Sequence, residues 1–252
     1  MTMRIAIYAA PGTGSADAAG ALLRHTAEQW LGRSISGAPV APGIPDGWTR
    51  ESIDAITTDA RRYGFHGTLK APFYLAEGRT AEELEAAVAR FAAGHAGAVI
   101  PRLSLVRMGA FFALVPGAEA PGLHALADEV VQAFDGFRAP TTDAELARRF
   151  RGSLTPRQRE LLGAWGYPYV LDEFRFHLTL TERIPAGRQP EVERTLSDWF
   201  AGSLGATVPV DALALFTEAE PGAPVVLHAV HPLQQATSPR SAASTTDREG
   251  AR

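Results

Sequence analysis

Hydrophobic and polar positions change period several times along the chain, and the changes mark out its elements. Arg4 to Ala9 alternates, with Ile5, Ile7 and Ala9 on one side and Tyr8 on the other, as a strand does. The next segment sets Ala19, Leu22, Leu23, Thr26 and Trp30 on one stripe of an amphipathic helix, which Gly32 ends. Both patterns return later: Phe111 to Val115 reads as a strand, and after Pro121-Gly122 the residues Leu123, Leu126, Ala127, Val130 and Phe134 form a helical stripe. Two runs rich in Phe, Leu and Thr, Tyr63 to Tyr74 and Phe174 to Ile184, read as strands bounded by Gly or Pro. After the first, Thr80 and Glu83 make a capping box for a helix with Leu84, Ala87, Val88 and Phe91 inward. After the second, Pro190 opens a helix with Val192, Thr195, Leu196 and Trp199 in the same relation. Ala98 to Val106 and Thr207 to Phe216 then read as strands, followed by Val225 to Val230.

The order strand, helix, strand, helix, strand therefore occurs twice. Ile5 and Phe111 are 106 residues apart, close to the 111 that separate His66 from His177 in the two Phe-rich strands. The expected fold is α+β and duplicated, with two lobes, each an antiparallel-rich sheet packed by helices, related by a pseudo-two-fold around a central cleft. The lobes are expected over residues 1–109 and 110–233. Each half carries an irregular insertion: Gly37 to Gly47 reads as loop, and Thr142 to Phe150 and Thr155 to Trp165 as two short helices, candidate lids. The stretch from Gln234 to Arg252, mostly Ser, Thr, Ala and charged residues, reads as a disordered tail.

At 252 residues and 46% hydrophobic the chain can bury a substantial core. With no cysteine it has neither disulfides nor thiolate chemistry, which suits a reducing compartment. No spanning apolar run and no signal-like N-terminus occur, so no membrane partner and a cytoplasmic location are expected. A formal net charge of −4 argues against an extended nucleic-acid footprint. A small anionic ligand held by a few local cations fits. Oligomeric state is not legible.

The two Phe-rich strands carry the chemistry. Each holds a His-x-Thr-x tetrad, His66-Gly67-Thr68-Leu69 and His177-Leu178-Thr179-Leu180. Alternation puts His66, Thr68 and Lys70 on one face, and Arg175, His177, Thr179 and Thr181 on one face. An ordinary imidazole titrates near pH ~6.5, so two can hold opposite protonation states, one removing a proton from water while the other protonates a leaving oxygen. The threonine hydroxyls beside them suit non-bridging phosphate oxygens, and Lys70 and Arg175 add positive charge. A metal site is a rival, but zinc wants three or four ligands, and the nearest further candidate, Glu173, shares the parity of His177 but stands before the Phe-rich run. No Gly-x-Ser-x-Gly elbow occurs, and Ala10-Pro11-Gly12-Thr13-Gly14 lacks the Gly-Lys-Ser/Thr ending of a phosphate loop. No metal and no cofactor are expected. His25, His95, His124, His228 and His231 have no partners in register. Arg148, Arg149, Arg151, Arg157 and Arg159 are read as a solvated face, with a lid gripping a second phosphate as the sharper alternative.

The paired tetrads, with the flanks Arg61 to Phe73 and Trp165-Gly166-Tyr167-Pro168-Tyr169, resemble the two-histidine (2H) phosphoesterases, and within them a bacterial branch associated with phosphonate-utilisation genes. The resemblance spans roughly Arg4 to Leu233. It implies metal-independent opening of a cyclic phosphodiester, with His66 and His177 as acid and base and Thr68 and Thr179 as phosphate donors. The gene association points further to a ribose cyclic phosphate, one carrying a 5-phosphate included. Tyr8, Tyr63, Lys70, Arg175 and Thr181 are the expected substrate contacts. A non-catalytic module holding a nucleotide or phosphosugar, and RNA-end processing or ligation, are the alternatives.

Overall fold

The computed structural model describes residues 3–14, 17–142 and 154–234. Nine strands occur among them: β1 (Arg4–Ala9), β2 (Gly67–Tyr74), β3 (Ala98–Ile100), β4 (Ser104–Met108), β5 (Phe111–Val115), β6 (Leu178–Thr179), β7 (Val208–Val210), β8 (Ala212–Glu218) and β9 (Val225–Pro232). The α-helices are α1 (Ala18–Leu31), α2 (Arg50–Asp54), α3 (Thr58–Tyr63), α4 (Ala81–Gly94), α5 (Pro121–Ala133), α6 (Pro156–Trp165) and α7 (Gln189–Trp199). The expected helix over Thr142 to Phe150 and the expected tail beyond Gln234 fall mostly outside the described residues.

Seven strands form one antiparallel sheet in the order β4-β5-β6-β2-β1-β8-β9, and β3 pairs with β7 in a two-stranded ribbon. The order is a palindrome of the duplication. Reading outward from the β6–β2 junction, β6, β5 and β4 match β2, β1 and β8, while the equivalent strands β3 and β7 pair with each other. This is the α+β fold with a pseudo-two-fold that the repeated periodicity implies. The strand that ends the first half of the sequence lies beside the one that opens the second, so each side of the sheet draws on both halves.

The core follows the stripes with small rotations. α1 buries Leu23, Ala27, Trp30 and Leu31, whereas Leu22, expected inward, is 47% exposed. Gly32 closes the helix at φ 65°, as the sequence suggests, and at the other end Asp17 accepts from the Gly20 N–H. Trp30 is fully buried, and its indole N–H donates to the Leu180 carbonyl at 2.9 Å, fastening α1 to the strand of the second tetrad. α5 buries Leu123, Leu126, Ala127 and Val130 against β2, and α4 buries Leu84, Val88 and Ala92 against β8 and β9. Thr80 and Glu83 form the expected capping box.

Both Phe-rich strands are shorter than their composition suggests. Thr58–Tyr63 is helical and Gly64 ends that turn at φ 75°, so strand pairing begins only at Gly67. In the second copy only Leu178–Thr179 is laddered. The run expected over Ala98 to Val106 is split into β3 and β4 by a turn at Pro101-Arg102, where Arg102 sits at φ 46°.

Candidate active site

The two tetrads meet at a single point. β2 and β6 are antiparallel and pair through Gly67 and Leu178, the residues that follow the two histidines. One step either side, this register sets His66 opposite Thr179 and Thr68 opposite His177. Cross-strand neighbours in an antiparallel pair lie about 5 Å apart at Cβ, so four side chains on one face form a compact square. Gly67 makes the junction close enough: a Cβ there would fall 2.4 Å from the ring of Phe176, which packs over it.

Both imidazoles are held in the same way. His66 Nδ1 lies 2.8 Å from the Gly64 carbonyl, and His177 Nδ1 lies 2.8 Å from the Arg175 carbonyl, each two residues upstream. A carbonyl can only accept, so each Nδ1 carries its proton and each Nε2 is left for chemistry. The short extended stretch ahead of each strand supplies that carbonyl.

Beneath His66 lies Tyr8. The rings stack with centroids 3.8 Å apart, and Tyr8 is 1% exposed. Burial, together with the charge on His177, pushes the His66 pKa down to about 4, the Gly64 hydrogen bond opposing the shift only in part. Burial raises the Tyr8 phenol well above its ordinary range. His66 is therefore a neutral imidazole at neutral pH.

A cleft of about 490 Å³ opens over three corners of this square, His66, Thr68 and Thr179, with His177 outside its lining, and is walled by Tyr8, Tyr63, Tyr167 and Tyr169. Four of the chain's five tyrosines thus face one cavity, giving it aromatic walls. Arg4 lines it at one end. Beyond Thr179 a second hollow of about 450 Å³ continues past Asp59, Phe111 and Arg183.

Two expected contacts lie elsewhere, and a third, Thr181, lines only the second hollow. Lys70 is on the opposite face of β2. Tyr8 pairs with Thr68 and Ile7 with Lys70, so β2 advances two residues while β1 advances one, and the bulge at Leu69 reverses the alternation. Lys70 is buried against α5, its Nζ 3.1 Å from the Val131 carbonyl and 3.3 Å from Asp135. Burial lowers its pKa, which Asp135 partly restores. Arg175 points its side chain into a separate depression with Val106, Met108 and His124, and serves the site through its carbonyl. The Thr181 hydroxyl is used by the main chain, accepting from the Phe112 N–H at 3.0 Å and donating to the Glu182 carbonyl at 2.8 Å. Of the arginines read as a lid, Arg148, Arg149 and Arg151 lie outside the described residues, and Arg157 is ion-paired with Asp172 and Glu160.

Two features escaped the pattern. Tyr167 and Tyr169 carry no periodicity of their own, since they follow α6 in an irregular segment. Arg4 shares the parity of Tyr8 on β1, a signal that was present and could have placed it on the cleft face. Among the described residues no three His, Cys, Asp or Glu side chains converge as a metal site requires.

The fold is thus a duplicated α+β arrangement in which a His-x-Thr-x tetrad heads each of two paired central strands. The chain belongs to the family described as protein of unknown function DUF1045, which matches residues 68–226. It is 39% identical over 206 residues to a protein of Janthinobacterium sp. (strain Marseille) named ribose 1,5-bisphosphate phosphokinase PhnN, covering 78% of this chain and 45% of that protein. A protein of the same name from Laribacter hongkongensis (strain HLHK9) is 34% identical over 222 residues, covering 88% of this chain and 50% of that protein. The chain thus spans about half the length of these curated relatives. Among solved structures, E. coli LigT complexed with 3'-AMP aligns with a TM-score of 0.43 at 15% identity, covering 93% of this chain and all of LigT. No helix among the described residues is long and apolar enough to cross a membrane.

Proposed function

We propose that the chain is a phosphodiesterase that opens a small cyclic phosphate, on ribose or a nucleotide, by acid-base catalysis between His66 and His177. The observation that carries this reading is the square about the Gly67–Leu178 pair, in which each imidazole is locked through Nδ1 and faces a threonine of the other tetrad. His66, neutral, takes a proton from water on Nε2 as the water oxygen attacks phosphorus. The ring P–O bond breaks, and His177, entering as the imidazolium, gives its Nε2 proton to the departing oxygen. The Thr68 and Thr179 hydroxyls donate to the non-bridging oxygens, where charge builds in the transition state. Each proton transfer is worth on the order of 10²- to 10⁴-fold in rate. The two histidines then exchange protons with solvent to reset.

Opening a ribose cyclic phosphate leaves a ribose phosphomonoester, the chemical class on which the curated relatives act by their name. A phosphokinase needs a nucleotide-binding loop. The Ala10 to Gly14 turn ends without Lys-Ser/Thr, and its Gly12, at φ 75°, packs against Gly20 of α1.

The test is turnover of a panel of ribose cyclic phosphates and 2′,3′-cyclic nucleotides in excess chelator. Ring opening that persists with chelator and is lost in His66→Ala and His177→Ala supports the reading. Loss of all activity with chelator would sink the metal-free mechanism, and tight binding without turnover would make the protein a phosphosugar-binding module.

A further inference from the structure

The cleft has a second charged pole. Along β1, Arg4, Ala6 and Tyr8 share a face, so Arg4 lies four residues, about 13 Å of strand, from the tyrosine under His66. Arg4 lines the same cleft, with Tyr63 and Tyr167 also on its wall. Its guanidinium is pinned from one side. Glu218, directly opposite on β8 and 1% exposed, binds Nε and Nη2 of Arg4 through one carboxylate oxygen. The other oxygen accepts from Arg62 Nη1 at 3.0 Å and from the Gly222 N–H at 2.9 Å. Arg62 in turn lies over the Tyr63 ring, 4.2 Å from its centroid. Two guanidinium groups therefore share one buried carboxylate. The other acid beside Arg62, Asp59 at 3.4 Å, has a side chain 71% exposed, where water screens its charge. Among the described residues Arg4 Nη1 has no partner.

A cation oriented by a buried carboxylate needs no further ordering when an anion arrives, and a guanidinium suits a phosphate. We infer that Arg4 anchors a second phosphate of the substrate, carried at the end of the sugar remote from the reacting phosphate. This rests on the two-histidine reading of the cleft. Of the ribose cyclic phosphates expected from the resemblance, Arg4 thus selects those that also bear a phosphomonoester. Its sugar lies along the tyrosine wall, in a volume of about 490 Å³ that accommodates such a ligand. Glu218 acts as a positioning residue.

The test uses a matched pair, 2′,3′-cyclic AMP and the same compound phosphorylated on its 5′-hydroxyl, with wild type, Arg4→Gln, Arg4→Lys and Glu218→Gln. Wild type is expected to prefer the 5′-phosphorylated member in kcat/KM, and Arg4→Gln to reduce that preference on the order of 10- to 100-fold. Arg4→Lys should restore part of it, and Glu218→Gln, which keeps the cation but loosens it, should lose part. The preference is a ratio within each variant, so partial unfolding cancels. Equal turnover of both members by wild type, or a preference untouched in Arg4→Gln, overturns the assignment while leaving the hydrolase standing. If neither member turns over, the hydrolase reading falls, and calorimetric Kd values for the same pair still decide Arg4: a preference lost in Arg4→Gln upholds it, and equal affinities overturn it.

Discussion

The imidazole of His66 lies flat on the phenol ring of Tyr8, with ring centroids 3.8 Å apart and planes 21° apart. The stack withdraws one face of the imidazole from water, while the Nδ1 bond to Gly64 fixes its tautomer. The result is an imidazole that stays neutral well into acid. If His66 is the base, the acid limb of kcat/KM falls near pH 4. Tyr8→Phe, which keeps the ring, should leave that limb in place; Tyr8→Leu should move it upward and lower kcat. An acid limb unchanged in Tyr8→Leu would disconnect the stack from the titration, and both limbs surviving in His66→Ala and in His177→Ala would remove the two-histidine assignment.

The depressed pKa of His66 also ties stability to pH. An unfolded histidine binds its proton near pH ~6.5 while the folded one resists until about pH 4, so between these values the unfolded state holds more protons. Folding stability should therefore decline as pH falls through that window and level off below it. The expected loss is on the order of 2 kcal/mol, less than the full shift would give because the ring is only half-buried. Urea unfolding of wild type and His66→Phe at pH 7 and pH 4.5 measures it. The variant should lose less stability than wild type on acidification, and equal losses would trace the acid sensitivity to groups other than His66.

Gly67 has no room for a side chain, since a Cβ would meet the Phe176 ring at 2.4 Å. Gly67→Ala is expected to cost about 1–3 kcal/mol through overpacking and to push the two tetrads apart. Both Tm and kcat should fall. Gly67→Ala combined with Phe176→Leu should recover part of each, and a double variant no better than the sum of the singles would place the strain elsewhere.

Lys70 is a structural cation. Its ammonium lies under α5 between the Val131 carbonyl and Asp135, which also binds Arg138. Lys70→Met removes one charge of a buried pair but leaves Asp135 with Arg138, so the loss should be at the low end of the roughly 3–5 kcal/mol that broken buried pairs cost. Substrate KM should stay within about twofold. A raised KM with an unchanged Tm would put Lys70 back on the cleft.

The duplicated order of elements, the helical stripes, the caps at Thr80 and Gly32 and the two tetrads were all legible in the chain, because periodicity, capping and motif spacing are local properties. What alternation could not reveal was where alternation stops. One extra residue in β2 at Leu69 sends Lys70 to the far side of the sheet, and the hydroxyl of Thr181 goes to the main chain of β5. Register is a relation between strands that are distant in sequence, decided by which backbone groups find partners. Thus the sequence by itself determined that His66 and His177 are equivalent residues of a repeat. Only the tertiary structure decided that they share one square, that Tyr8 lies beneath one of them, and that Arg4 stands across the cleft. Pairing Gly67 with Leu178 and Arg4 with Glu218 joins segments more than 100 residues apart, and no local pattern encodes that.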